Sequence, residues 1–573
     1  MRINTPVGSG PTGGAPRLGR LRLLLVLGAA AILCLSAAWL AVPAGITAGS
    51  VSITAAGNTT SLPPITGINY PQYLDGNLRT GDAGNQGPIN VSNVHSLRPI
   101  WRFPTGKSVW AQPIVVNGTV YVGSSDGYEY ALDATNGTLL WKTFLGVDHN
   151  DLTCGGSGPG VTSTATFSGH RLYVSGGNSE FYALNATTGR IVWDLAIGPA
   201  NATSMGFYLW ASPLVFNQSV YVGIASLCDK PLVPAGLERI SLRTHEEIAF
   251  FNSSYPNPNG SSIWGSPSLS QKTNTVFVTT GNPYQNLTST YGESVVALNA
   301  STLAVKDFWS VPANETVGDG DFGVTPTVFN LLNGTGVVTA EDKNGYLYEL
   351  YQSNLSLVWS DRLGYHDGDR YSTTVGNNTL YAVSSSAQVN LVNYSASVTA
   401  IDPKDGAKIW QDLFNISTGA TYGAPLYVNG VLVFALNTTL FAVNAATGAV
   451  LFHGSPGGTL TPPASVYGGE IFTGDGNHVI AFDVPLSLKA TETHARGVAP
   501  HIVSFTSTAA AGVPSYSYNW SFGDGTFSSA ADPAHNFTMP GNYSVELTVT
   551  DARGAVATHQ FAVTVTTPGR RRP

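Results

Sequence analysis

One spaced set of residues recurs along the chain. Ala131, Asp133, Gly137 and Trp141 return as Ala183, Asn185, Gly189 and Trp193. They return again as Ala400, Asp402, Gly406 and Trp410, and as Ala442, Asn444, Gly448 and Phe452. Each member of the spacing A-x-[DN]-x-x-x-G-x-x-x-[WF] has a physical task. The alternating apolar residues up to Ala fit the end of an inner strand. Asp or Asn opens a turn by bonding its own backbone, and Gly supplies a positive φ. The aromatic falls on the returning strand, where it can pack on the next unit. A unit that buries its faces only against its neighbours demands an array.

Weaker copies fill the gap, with aromatic ends expected at Phe250, Trp309 and Trp359. The ends then fall at 141, 193, 250, 309, 359, 410 and 452, at intervals of 42 to 59 residues, which suit a four-stranded blade. An eighth unit begins at Val479 without a following Gly or Trp. Its missing outer strand is expected at the other end of the repeats, in Leu97-Arg-Pro-Ile-Trp101, where it would close a ring and remove open sheet edges. The expected fold is all-β: an eight-bladed β-propeller over 66–487. The unit resembles the tryptophan-docking motif of pyrroloquinoline-quinone (PQQ) repeat propellers. That family includes quinoprotein alcohol dehydrogenases and non-catalytic scaffolds.

Residues 497–567 change texture. Phe522-Gly523-Asp524-Gly525 precedes Pro540-Gly541-Asn542-Tyr543, and strict alternation runs to Val549. This segment is similar to a PKD (polycystic kidney disease) domain, which implies an immunoglobulin-like sandwich. Asp524 and His535 read as turn and packing residues. Residues 488–496 read as a polar linker and 568–573 as a basic tail.

The N-terminus speaks to compartment. Residues 1–22 carry Arg2, Arg17, Arg20 and Arg22, and 23–42 are apolar except for Ser36. Twenty such residues suffice for one membrane crossing. The Arg residues predict a single-pass anchor with the bulk of the chain extracytoplasmic, joined through a linker at 43–65. A signal peptide cleaved after Ala44 is the alternative. About 21 Asn-x-Ser/Thr sites agree with export to a glycosylated surface. Setting aside the four N-terminal Arg and Arg570, Arg571 and Arg572 leaves 20 basic against 35 acidic residues, which argues against a nucleic-acid partner. Charged residues are only 11% of the chain and hydrophobic ones 43%, which excludes disorder for most of its length. No zinc pattern, phosphate loop or nucleophile elbow stands out, and His366-Asp367-Gly368-Asp369 reads as a polar turn.

The PQQ resemblance nominates a site. Trp264, followed by Gly281-Asn282-Pro283, is similar to the family's quinone-stacking Trp and metal-ligand Asn. Asp321 resembles the base, with Asp319 as the alternative, and Lys343 takes the place of the cation at the quinone oxygens. A flat aromatic supports a flat cofactor, Ca²⁺ takes oxygen ligands, and a carboxylate can accept an alcohol proton. Two departures weigh against this. The family's capping cysteine pair matches only Cys154, and the Arg expected after it, which holds a quinone carboxylate, is absent. The metal-ligand Glu aligns near Cys228-Asp229, so Asp229 would serve. Cys154 and Cys228 can pair in an oxidising space, and such a bridge could replace the cap. The expectation is therefore a membrane-anchored surface binding or scaffold module for proteins or glycans. The alternative is a PQQ- and Ca²⁺-dependent dehydrogenase of an alcohol or polyol. Without a haem-attachment Cys pair in the chain, that enzyme would pass its electrons to a partner.

Overall fold

The computed structural model describes residues 67–148, 159–197, 206–227, 232–257, 259–283, 288–364, 372–385, 387–415, 423–513 and 515–569. The apolar segment 23–42, Cys154, Cys228, Asp229 and His366 to Asp369 lie outside these ranges. Among the described residues no helix is long and apolar enough to cross a membrane.

The described chain is all-β, apart from a three-residue 3-10 turn at Val94–Ser96. Up to Asp483 the described residues build eight larger antiparallel sheets in sequence order, seven with four strands and one with five, and a two-stranded ribbon of Gln388–Val389 with Val392–Asn393. In the first, Ile114–Val116, Thr119–Gly123, Tyr128–Asp133 and Leu139–Phe144 pair in succession. The last sheet takes its outer strand from the start of the repeats. Arg98–Pro104 pairs with His478–Asp483, with Trp101 opposite Ala481. This is the closure that the sequence predicted.

The recurring spacing is explained where neighbouring sheets meet. Trp141 lies opposite Ala131 within its own sheet and packs on Gly189 of the next. A Cβ at Gly189 would come within 2.5 Å of the Trp141 ring, and one at Gly137 within 2.5 Å of the Trp101 ring. Four docked indole N–H groups donate to the carbonyl just after the next unit's Asp or Asn. The bonds are Trp101 to Ala134 (2.8 Å), Trp141 to Ala186 (3.0 Å), Trp359 to Pro403 (2.9 Å) and Trp410 to Ala445 (2.9 Å).

Two weak copies fall out of the expected register. The position opposite Arg239 is Ala249, so Phe250 is one residue past it and exposed. Opposite Ala297 stands Asp307, and Trp309 packs on Tyr348 instead, with ring centroids 4.7 Å apart. Where the third sheet lacks the turn glycine, His245 adopts its positive φ and stacks on Trp193 at 4.7 Å.

Residues 67–90, expected only as part of the propeller, run across the innermost strands and bond to them one by one. Tyr70 pairs with Val115, and the carbonyls of Pro71, Asn77, Leu78, Thr80 and Gly81 accept from Phe167, Leu269, Val328, Val375 and Tyr427. Arg79 is fully buried and donates to the carbonyls of Pro213, Pro267 and Tyr73 at 3.0, 3.2 and 2.6 Å. The segment is therefore a plug at one level of the axis.

The C-terminal sandwich starts earlier than expected. Residues 488–496 are not a linker. Ser487–Glu492 is a strand paired with His501–Ala510, and its alternating burial fits a half-buried position. Trp520, Phe505 and Phe522 fill the core. Asp524 and His535 do act locally: the imidazole bonds Asp524 at 2.7 Å and stacks on Phe522 at 4.1 Å. The sandwich docks at the ring's closure. Val513 packs in the cluster that holds Trp101 and Phe472. Arg553 pairs with the buried Glu470 and donates to the Thr135 carbonyl at 2.5 Å.

Candidate functional site

The innermost strands begin with a recurrence that the sequence carried but that was not read as a set: Trp110-Ala111-Gln112-Pro113, Trp210-Ala211-Ser212-Pro213 and Trp264-Gly265-Ser266-Pro267. Trp110, Trp210 and Trp264 line one axial cavity of about 300 Å³, at the lower end of the range of small-molecule sites. Trp110 and Trp210 stand 6.3 Å apart, centroid to centroid. Trp264 lies against Gly323, where a Cβ would meet its ring at 2.1 Å.

Beside Trp264 the structure gathers the residues nominated separately by resemblance. Lys343 Nζ lies 5.4 Å from the Trp264 ring centroid, 2.5 Å from Asp321 Oδ2 and 3.1 Å from Asp319 Oδ2. Asp321 Oδ1 accepts the Asn282 backbone N–H at 2.7 Å. Two short backbone links hold the group: Gly281 bridges Asp321, and Lys343 N–H donates to the Asp321 carbonyl at 3.1 Å. Asp321 is the better-placed of the two candidate bases, with a side chain 14% exposed against 65% for Asp319. Asn282, Asp321 and Lys343 do not line the 300 Å³ cavity. Trp264 borders both regions.

Burial pushes the Asp321 carboxyl above its usual range, against the pull of Lys343 and the Asn282 N–H. Burial works against charge on Lys343, but Asp321 and Asp319 outweigh it and hold the amine above its ordinary value. Sequence reasoning passed over two acids behind Asp321. Burial, with Asp342 and Asp321 nearby, pushes Glu293 up to about 8. Burial pushes Asp342 up to about 7, opposed by the Asn344 N–H. Glu293 Oε1 and Asp342 Oδ2 are buried with no hydrogen-bond partner. Their only signal in the sequence was proximity to motif residues.

This donor set fits a hard cation and a planar, oxygen-rich cofactor. Two acids pair with one amine, two more stand behind them with a buried unsatisfied oxygen each, and an aromatic face lies beside them. The protein alone does not complete a metal site: among the described residues no group of three His, Cys, Asp or Glu side chains could hold an ion. Asn282 and oxygens of the cofactor would have to contribute.

A family model described as outer membrane protein assembly factor BamB, a PQQ-repeat model, matches residues 91–224 and 253–484. A PKD domain model matches 490–565. Quinoprotein alcohol dehydrogenase PedH of Pseudomonas putida is 23% identical over 311 residues, 46% of this chain and 50% of its own length. A polyvinylalcohol dehydrogenase of Sphingopyxis is 22% identical over 376 residues, 57% and 56% of the two chains. The chain thus spans about half the length of the curated relatives it matches. The crystal structure of quinohemoprotein alcohol dehydrogenase from Comamonas testosteroni superposes with a TM-score of 0.60 at 17% identity, over 72% of this chain and 80% of that one. That likeness is one of fold.

Proposed function

The chain belongs to the PQQ-repeat propeller family and carries a PKD domain, and on that premise we propose that it is a quinoprotein dehydrogenase acting on an alcohol or polyol. We read the eight sheets as eight blades of one closed ring, and residues 23–42 as an anchor that holds the enzyme outside the cytoplasm. The observation that carries the enzymatic reading is the convergence of Trp264, Lys343, Asp321 and Asn282 from four separate segments. The relatives that are alcohol dehydrogenases support it.

PQQ, when bound, supplies a two-electron acceptor for the hydride of an alcohol. The chain's own residues do the rest. Trp264 offers a flat face, kept flush by Gly323. Asn282 and Asp229, which lies outside the described residues, would hold Ca²⁺ through oxygen. Asp321 takes the hydroxyl proton at its carboxylate, and its raised pKa makes it a stronger base than a surface Asp. Lys343 keeps Asp321 ionised until then and stabilises negative charge as it develops on the bound oxygen.

The second reading is a binding or scaffold module. It is favoured by the position of Asp321 and Lys343 outside the cavity lining, tied to each other. Titration of the purified chain with PQQ and Ca²⁺ separates the two. The enzyme predicts a metal-dependent rise in melting temperature, lost in Asn282→Ala, and dye reduction on adding alcohols. No rise at saturating cofactor would leave the scaffold.

A further inference from the structure

The axial cavity has a floor whose chemistry differs from that of the Asp321 constellation. Two residues after Trp210 and Trp264, and at the matching position of three other sheets, the chain places a hydroxyl: Thr164, Ser212, Ser266, Thr325 and Ser372; after Trp110 the position is Gln112. All five are buried and all five line the cavity. They are linked around the axis by a relay of backbone donors. Gln112 N–H donates to Thr164 Oγ1 (2.8 Å), Thr164 N–H to Ser212 Oγ (3.0 Å) and Ser212 N–H to Ser266 Oγ (2.9 Å). Ser266 N–H donates to Thr325 Oγ1 (2.9 Å) and Thr325 N–H to Ser372 Oγ (3.0 Å). Each hydroxyl oxygen thus spends a lone pair on a neighbouring sheet and keeps its own hydrogen to donate. Thr325 and Ser372 meet the phenol of Tyr73, which closes the floor. The hydroxyls of Thr164, Ser212 and Ser266 donate to no described residue.

Beneath this collar lies a buried positive charge. Arg79 is 0% exposed, and its guanidinium is 5.9 Å from the Tyr73 ring centroid. The carbonyls it bonds belong to Pro213 and Pro267, the residues that follow Ser212 and Ser266. No ion pair among the described residues includes it. Asp75 and Asp82, on the same segment, are not among its partners. Only three of its five N–H groups have acceptors there. A charged guanidinium with no counter-ion among the described residues, under a ring of hydroxyl donors, sets a positive potential in the chamber.

We propose that this chamber, between the tryptophans and the plug, is a carboxylate receptor. The collar hydroxyls donate to the carboxylate oxygens, Arg79 supplies the opposite charge, and Trp110, Trp210 and Trp264 cover the carbon frame. Two sources share that chemistry: a carboxyl arm of a quinone cofactor, or a free small carboxylate. The site stands whether or not Asp321 and Lys343 turn over an alcohol.

The test uses the purified full chain, with oxalate as probe and its neutral diamide, oxamide, as control. Oxalate should raise the melting temperature at low salt and oxamide should not. Ser212→Ala with Ser266→Ala should weaken oxalate at least tenfold. If that variant fails to fold, the oxalate-to-oxamide contrast in the wild-type chain still decides. If PQQ abolishes the oxalate shift, the carboxylate belongs to the cofactor. If both bind together, the receptor serves a free acid. Equal shifts from oxalate and oxamide, no shift from oxalate, or undiminished oxalate binding in a folded double variant would each overturn the proposal.

Discussion

Replacing Lys343 by Met should cost stability in a manner that depends on pH, and the dependence identifies the cause. Lys343 bridges Asp321 at 2.5 Å and Asp319 at 3.1 Å. Asp319 is 65% exposed and loses little. Asp321 is 14% exposed and would be left as a buried carboxylate with only the Asn282 N–H to hold its charge. Removing one partner of a buried pair costs about 3–5 kcal/mol. The carboxyl has one escape, which is to take a proton. Burial already raises its pKa, and Lys343 is the main force opposing that rise. In the variant the folded pKa therefore moves further above the unfolded value. The penalty is small near the unfolded pKa, where the group is protonated in both states. Relative to the wild-type chain it then grows, by about 1.4 kcal/mol per pH unit, between the wild-type folded pKa and the new one. A ring of this size should show roughly 1–2 °C per kcal/mol, extending the size trend of smaller domains. Calorimetric melts at pH 4.5 and pH 7.5 measure the difference. Lys408→Met is the control, since Lys408 and Asp361 are each about one-third exposed and pair at 3.2 Å. Its loss should stay under about 1 kcal/mol and be flat with pH. An equal loss in Lys343→Met at both pH values, or a loss as small as the control's, would refute the reasoning.

Gly323→Ala puts a methyl group into the Trp264 ring and should abolish PQQ-dependent thermal stabilisation while leaving the fold intact by circular dichroism. Trp101→Ala removes a 7% exposed indole and its bond to Ala134 at the ring's closure, and should cost about 3–5 kcal/mol, read as a lower melting temperature. Arg553→Leu leaves Glu470 buried without its partner, and should speed proteolytic release of the sandwich from the ring. Asp342→Asn should be neutral at pH 4 and stabilising at pH 8. The wild-type acid, raised to about 7 by burial, loses stability as pH climbs through that value, by up to about 4 kcal/mol, and Asn does not titrate.

What the sequence disclosed followed from where each feature does its work. The Ala–Asp–Gly–Trp spacing was legible because every member serves a contact between adjacent sheets, and such contacts must recur wherever sheets meet. The same logic placed Leu97 to Trp101 in the last sheet, since a ring leaves no edge for an unpaired Trp101. At Phe250 and Trp309 the residues that stand in the docking position are Ala249 and Asp307, and a nearby ring passes for it in the sequence; Leu355 shows that a non-glycine turn residue does not itself displace the aromatic, since Trp359 docks. The plug at 67–90 had no period to reveal it. It reaches successive sheets through single backbone bonds, which place no demand on side-chain type. Arg79 could be seen only in three dimensions, because two of its three partners are carbonyls of Pro213 and Pro267, more than 130 residues away. The collar is the instructive case. Its Trp-x-[Ser/Gln]-Pro recurrence appears three times, at Trp110, Trp210 and Trp264, and the family resemblance singled out only the last. Trp110 and Trp210 occupy the same position in their own sheets, so the axis presents a shared aromatic layer that a single stacking residue does not describe. Resemblance therefore located the charged constellation, and the repeat, followed around the ring, located the chamber next to it.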